Sequence, residues 1–156
     1  MAKKYFILFI TAVLSILFTK AQTAKADSTA VAATLTSLLS ICRNIDFADP
    51  KTQELGMFYK AARYIICQGS DKNRAWKEFV NYSIAEDKKG TDEVCTRINE
   101  TVNRDSSYQI IKYHTEKESE GLWHVLIVSY KKKGVEKKAA FAFLKIGNRF
   151  GLGDID

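Results

Sequence analysis

The apolar period of the chain changes once, and that change confines the fold. Up to Val102 the apolar residues recur at steps of three and four, and beyond Asp105-Ser106-Ser107 they alternate. Helices come first and strands after, which is the α+β order of helices packed on one side of an antiparallel sheet. Four strand-like segments follow the change: Tyr108 to Lys117, Leu122 to Lys132, Val135 to Ile146 and Arg149 to Ile155. Their joints are Glu118-Ser119-Glu120-Gly121, Lys133-Gly134 and Gly147-Asn148, short and Gly-containing, so consecutive strands pair as hairpins. The expectation is a set of N-terminal helices packed on a curved antiparallel sheet of about four strands.

The helical part carries four stripes. Val31, Leu35, Leu38, Leu39 and Cys42 fall on one face of a helix that starts at Asp27 or Ser28. Asp49-Pro50 suits the cap and first turn of a second helix with the stripe Leu55, Phe58, Ala62, Ile65 and Ile66. A third would present Trp76, Phe79 and Val80. Ala85 to Gly90 reads as a solvated loop, and Thr91-Asp92-Glu93 opens a fourth helix carrying Val94, Cys95, Ile98 and Val102.

Two-residue turns at Lys133-Gly134 and Gly147-Asn148 fix a register. Lys131 then faces Glu136, His124 faces Phe143, Trp123 faces Leu144, and Phe143 faces Leu152. One sheet face carries Leu122, His124, Leu126, Val128, Tyr130, Phe141, Phe143, Phe150, Leu152 and Asp154. The other carries Trp123, Val125, Ile127, Ala140, Ala142, Leu144, Ile146 and Ile155. Both are apolar, whereas a sheet with one wet face alternates apolar with polar. Helices cover one face, so the Trp123, Val125, Ile127 and Leu144 face is expected to meet a protein partner or a second copy in a homodimer, or to be sheltered by bending of the sheet.

The closing stretch LWHVLIVSYKKKGVEKKAAFAFLKIGNRFGLGDID resembles the last strands of nuclear transport factor two-like, or cystatin-like, proteins, whose final hairpin often reads KxxGxWxIxDI. Lys145-Ile146-Gly147-Asn148-Arg149-Phe150-Gly151-Leu152-Gly153-Asp154-Ile155 stands in that place, with Phe150 where the pattern has Trp. The resemblance implies a cone with a pocket between the concave sheet face and the helices. Members include isomerases, dehydratases, small-molecule binders and association modules, so the fold does not choose the function. Small secreted bacterial members resemble binding or accessory domains.

On this reading His124, Leu126, Tyr130, Phe141, Phe143, Asp154 and Tyr113 line a pocket for a small apolar ligand. Were the protein an enzyme, Asp154 or His124 would serve as base, since a carboxyl or imidazole among apolar groups shifts its pKa readily. The turn at Glu118 to Gly121 decides whether a second imidazole joins: with four residues in the turn His114 faces Val125, away from His124, and with five the two rings lie side by side. No nucleophile motif, phosphate loop or metal-ligand spacing occurs, and no cofactor is expected.

Residues 1–21 have the form of a signal peptide: Lys3 and Lys4, an apolar run through Phe18, and Thr19 and Ala21 at small-residue positions. The expected cut follows Ala21, with Ala26 as second choice, leaving residues 22–156 as one exported domain, periplasmic or secreted. The 13 residues from Phe6 to Phe18 are too few against the roughly 20 that span a bilayer, and no transmembrane span is expected after cleavage. In an oxidising compartment Cys42, Cys67 and Cys95 allow one bridge, Cys42 with Cys95 by their helical stripes, or stay as three buried thiols. The net charge of +6 invites an anionic partner, but Lys3, Lys4 and Lys20 leave with the leader. The remaining basic run, Lys131-Lys132-Lys133 with Lys137 and Lys138, sits at a hairpin tip opposite Glu116, Glu118 and Glu120, without interleaved Arg and aromatics, so nucleic acid is not expected as a partner.

Overall fold

The computed structural model describes residues 22, 24–45, 56–66, 78–103 and 106–156. The expected leader, Cys67, and the helix positions Leu55 and Trp76 lie outside the described residues. Among the described residues three helices precede the sheet: α1 over residues 24–42, α2 at Met57–Ala62 and α3 at Ala85–Thr101. The sheet follows as β1 (Tyr108–Glu118), β2 (Gly121–Lys132), β3 (Val135–Ile146) and β4 (Arg149–Ile155), antiparallel and in chain order. The expected α+β arrangement of N-terminal helices and C-terminal antiparallel strands is therefore the observed one.

The stripe of α1 is buried as its spacing requires. Val31, Leu35, Leu38, Leu39 and Cys42 are all buried against the sheet's inner side chains in one core. On the exposed side of the helix, the hydroxyls of Thr34, Thr36 and Ser37 donate to the carbonyls of Ala30, Ala32 and Ala33, so these residues sit in a helix without competing for its backbone. From α3, Cys95, Ile98 and Val102 enter the same core, and a disulfide joins Cys42 to Cys95. The bridge ties the end of α1 to the middle of α3.

Besides the start of α1, which is helical already at residue 24 where Asp27 or Ser28 was expected to open it, two helix boundaries differ from the sequence reading. The second helix stops at Ala62, and Ile65 and Ile66, expected on its stripe, are extended. Ile66 donates to Leu152 and Leu152 donates to Tyr64, so this segment occupies the outer edge of β4 at its middle, Leu152. Phe79 and Val80, expected on a third helix, pair back onto the same segment, Ile66 with Phe79 and Val80 N–H to the Ile65 carbonyl. Apolar residues at helical spacing were here recruited by a strand edge, a tertiary demand that local periodicity does not carry.

The second difference is at Ala85 to Gly90, read as a loop and found as the first turns of α3. The cause is Asp87, a fully buried carboxylate that accepts the backbone N–H of Asn81. Its own carbonyl receives the hydroxyl of the equally buried Thr91. Glu86 and Asp87 also stand in the first turn, where the unpaired amides favour negative charge.

The register of β2 with β3 is the expected one: Trp123 opposite Leu144, His124 opposite Phe143, Lys131 opposite Glu136, while β1 against β2 is shifted by a bulge between Ile110 and Lys112. His114 faces Val125, the outcome of the four-residue turn. In the last hairpin Phe143 faces Leu152 as expected, but a bulge then brings Asp154 opposite Ala142 and Ile155 opposite Phe141. One extra residue reverses the faces of everything after it. Asp154 therefore leaves the inner face and is exposed, and Ile155, assigned to the outer face, is buried in the core.

Candidate functional site

Most of the inner sheet face is packed against the helices among the described residues. Leu126, Tyr130, Phe141 and Phe143 are buried and packed with Val31, Leu35 and Ile98 in one continuous core. Each large apolar side chain so buried contributes about 1.5–3 kcal/mol, and filling this space with aromatics is what holds helices to sheet. These four, expected to line a pocket, stand in the buried core.

The outer face is covered in part by the chain itself. Val125 and Leu144, assigned to an interface, are buried, while Trp123 and Ile127 are half-buried. The cover becomes possible because β4 presents bare backbone there. A Cβ on Gly151 would stand 2.6 Å from Ile66 Cγ2 and 3.0 Å from Phe79 Cε1, and one on Gly153 would stand 2.7 Å from Trp123 Cη2. The segment around Ile66 and Phe79 and the indole of Trp123 occupy the space that side chains on β4 would have filled.

One open cleft among the described residues reaches a buried titratable side chain, and it lies at one end of the sheet. A cleft of ≈ 500 Å³ is bounded by Asp27 from α1, by Glu120, Gly121, Leu122 and His124 from the β1–β2 hairpin, and by Leu144 to Gly147 from the β3–β4 hairpin. The hairpin order brings these together, because Leu122 and Lys145 directly follow the Trp123–Leu144 pair at that end of the β2–β3 ladder. Leu122 is exposed, whereas His124 is buried at the inner end.

His124 is held on two sides. Its Nδ1 lies 2.7 Å from the Tyr113 hydroxyl, and its ring meets Phe150 edge to face with centroids 4.9 Å apart. Burial holds the imidazole pKa below its ordinary value, the carboxylate of Asp27 opposes that shift, and the ammonium of Lys145 adds to it. Burial, with Asp27, pushes the Tyr113 phenol up. At neutral pH the pair is thus uncharged, and we assign the phenol as donor and Nδ1 as acceptor, which leaves the ring proton on Nε2.

Three charges frame the cleft. Lys145 binds the Asp27 carboxylate at 2.6 Å and lies over the Phe150 ring, 5.4 Å from its centroid. The Glu120 carboxyl is held below its usual range by its own backbone amide, the Ser119 hydroxyl and the Trp123 indole N–H. The cleft therefore combines apolar walls from Leu122, Leu144 and Ile146, a neutral imidazole held from behind by the Tyr113 phenol, and an ion pair at its rim.

The candidate acid and base do not converge. Asp154 is on the outer face and His124 on the inner, so no substrate atom could lie between them. His114 is on the outer face as well, where its Nε2 lies 2.7 Å from Glu116 and its buried Nδ1 finds no partner among the described residues. No group of three or more metal-ligating side chains occurs among the described residues, and none of the described helices is long and apolar enough to cross a membrane.

Reading the residues in sequence missed Asp27, treated only as a helix cap, together with Glu120 and Lys145. A usable signal was present for Lys145: it is the one cation on an inner face otherwise apolar from Phe141 to Leu152. Asp27 carried none, because its distance to Lys145 depends on how α1 crosses the sheet. Comparison with protein-family models, curated proteins and solved structures returned no match.

Proposed function

We propose that the chain is an exported, noncatalytic binding domain of the nuclear transport factor two-like type, and that its ligand is a small molecule with an apolar body and one polar group. The observation that carries this reading is the end cleft, where a buried, neutral His124 lies behind apolar walls. Pockets of this kind combine apolar lining with a few fixed polar groups that set orientation. His124 is such a group: its ring is fixed by Tyr113 and Phe150. The apolar body would lie along Leu122, Leu144 and Ile146, and the polar group would meet the imidazole or the Asp27–Lys145 pair.

Binding is favoured over catalysis because Asp154, the other candidate base, stands on the opposite sheet face from His124, and the Asp27 carboxylate in the cleft is paired with Lys145. Export is supported by the Cys42–Cys95 disulfide, which suits an oxidising compartment. The test is native mass spectrometry of protein purified without denaturation, followed by titration with 1-anilinonaphthalene-8-sulfonate, an apolar probe with one anionic group. Leu122→Trp fills the cleft from an exposed position. The reading expects a retained small molecule or saturable probe binding in the native chain, weakened at least about tenfold by Leu122→Trp. Equal probe binding by both chains, with no retained molecule, would refute it.

A further inference from the structure

The two edges of the sheet are unlike. The outer edge of β4 is bonded at Leu152 to Tyr64 and Ile66, whereas β1 is the other edge strand, and among the described residues no backbone hydrogen bond reaches its outer side. A bulge between Ile110 and Lys112 interrupts its first part. From Lys112 to Glu118 it is regular, and Thr115 to Glu118 are exposed. An open, regular edge of that length offers a full row of unpaired amides and carbonyls.

We propose that this edge pairs with the same edge of a second copy, β1 against β1 antiparallel, with the two-fold axis at Thr115. A two-fold pairing of one strand with itself keeps each side chain on its own sheet face, so the axis must pass through a residue, and the choices can be compared. With the axis at Thr115, Lys112 faces Glu118 of the other copy and His114 faces its Glu116, each pair occurring twice. Tyr113 meets Lys117, and Thr115 meets its own copy. With the axis at His114, the imidazole faces itself. At Glu116 two carboxylates are opposed, and at Tyr113 Lys112 confronts His114. Opposite charges directly across an antiparallel pair stabilise it and like charges oppose it. Only the Thr115 axis joins every charged side chain within the regular stretch to an opposite or titratable partner.

The same charges answer the obvious objection. Lys on an edge strand and a bulge beside it discourage indiscriminate pairing. In β1 they discourage every partner strand except one that presents the sequence in reverse, and a second copy does so. The contact is isologous and closes at two chains. It is separate from the end cleft, whose lining includes none of the residues from Lys112 to Glu118.

The test is sedimentation across a concentration series, comparing the native chain with Lys112→Glu, Glu118→Lys and the double exchange. Both positions are exposed, so the fold is expected to tolerate the changes, and circular dichroism checks this. Each single reversal turns two attractions into two repulsions and should weaken dimerisation at least about tenfold. The double exchange should restore it, and so should mixing the two single variants, since each then supplies what the other lacks. Thr115→Cys in a Cys67→Ala background should form an intermolecular disulfide on oxidation, because residues on the axis stand close enough to bridge. A chain that stays monomeric at every concentration would overturn the proposal. So would a dimer indifferent to the charge reversals and without a cross-link at Thr115.

Discussion

The hydroxyl of Tyr113 on the edge strand reaches diagonally to Nδ1 of His124 on its neighbour, 2.7 Å away, although Tyr113 is paired with Leu126 and His124 with Thr115. The contact fixes the ring of the buried histidine and gives the phenol a partner in a half-buried position. Tyr113→Phe keeps the ring packing and removes the donor, leaving Nδ1 unpaired beside apolar groups. It should cost about 1–3 kcal/mol of stability, measured as a lowered urea midpoint with an unchanged slope.

Burial also makes stability depend on pH with a definite sign. The folded-state pKa of His124 is below its ordinary value, so between the two values the unfolded chain binds a proton that the folded chain does not. Stability from this group is complete above about pH 6.5 and is lost as pH falls from there towards the depressed folded value. Thermal melts from pH 8 to pH 5 at constant ionic strength should show that decline, and His124→Gln should flatten it. A native chain whose melting temperature is level over that range would exclude His124 as a buried neutral group.

The close approach of Trp123 to Gly153 predicts a coupled pair. Gly153→Ala places a methyl 2.7 Å from the indole and should destabilise by about 1–3 kcal/mol. In a Trp123→Ala background the obstacle is gone, and the same change should cost no more than about 0.5 kcal/mol. A double-mutant cycle by chemical denaturation reads the difference.

Gly151 gives a stricter version of the same test. Its added methyl would meet Ile66 at 2.6 Å, and Ile66 is buried and bonded through its backbone to β4. Having less freedom to move than an indole edge, it should make Gly151→Ala at least as costly as Gly153→Ala, with hydrogen exchange at Ile66 and Leu152 accelerated.

The bridge between Cys42 and Cys95 spans 53 residues of sequence. Closing a loop of that length removes denatured-state entropy worth about 4 kcal/mol. A Cys42→Ser, Cys95→Ser chain should lose about 2–4 kcal/mol while keeping its helical circular dichroism, because Leu35, Leu39 and Ile98 pack independently of the bridge.

Much of the architecture was legible in sequence because it depends on local rules. The stripe of α1, the hairpin joints and the register of β2 with β3 follow from side-chain period and turn length, and the structure keeps them. What was not legible depends on one residue or on a remote one. A single bulge moved Asp154 out of the candidate site, with Gly153 as the only local hint. Ile65 and Ile66 have helical spacing and were taken up by the edge of β4. Asp87 looked like part of a charged loop and is a buried acceptor for Asn81. The cleft combined both kinds of feature: His124 was legible from its place in the most apolar strand, while Asp27 came to it from the far end of the sequence.

The backbone bonds from Tyr64 and Ile66 to Leu152 have a consequence for growth. A sheet open on both sides can add strand after strand from successive molecules and so extend without limit. Here one side is already occupied by an upstream stretch of the same polypeptide, so any addition on the other side is the last. Prying Ile65 and Ile66 away would create a second free side and, with it, a route to fibrous polymers.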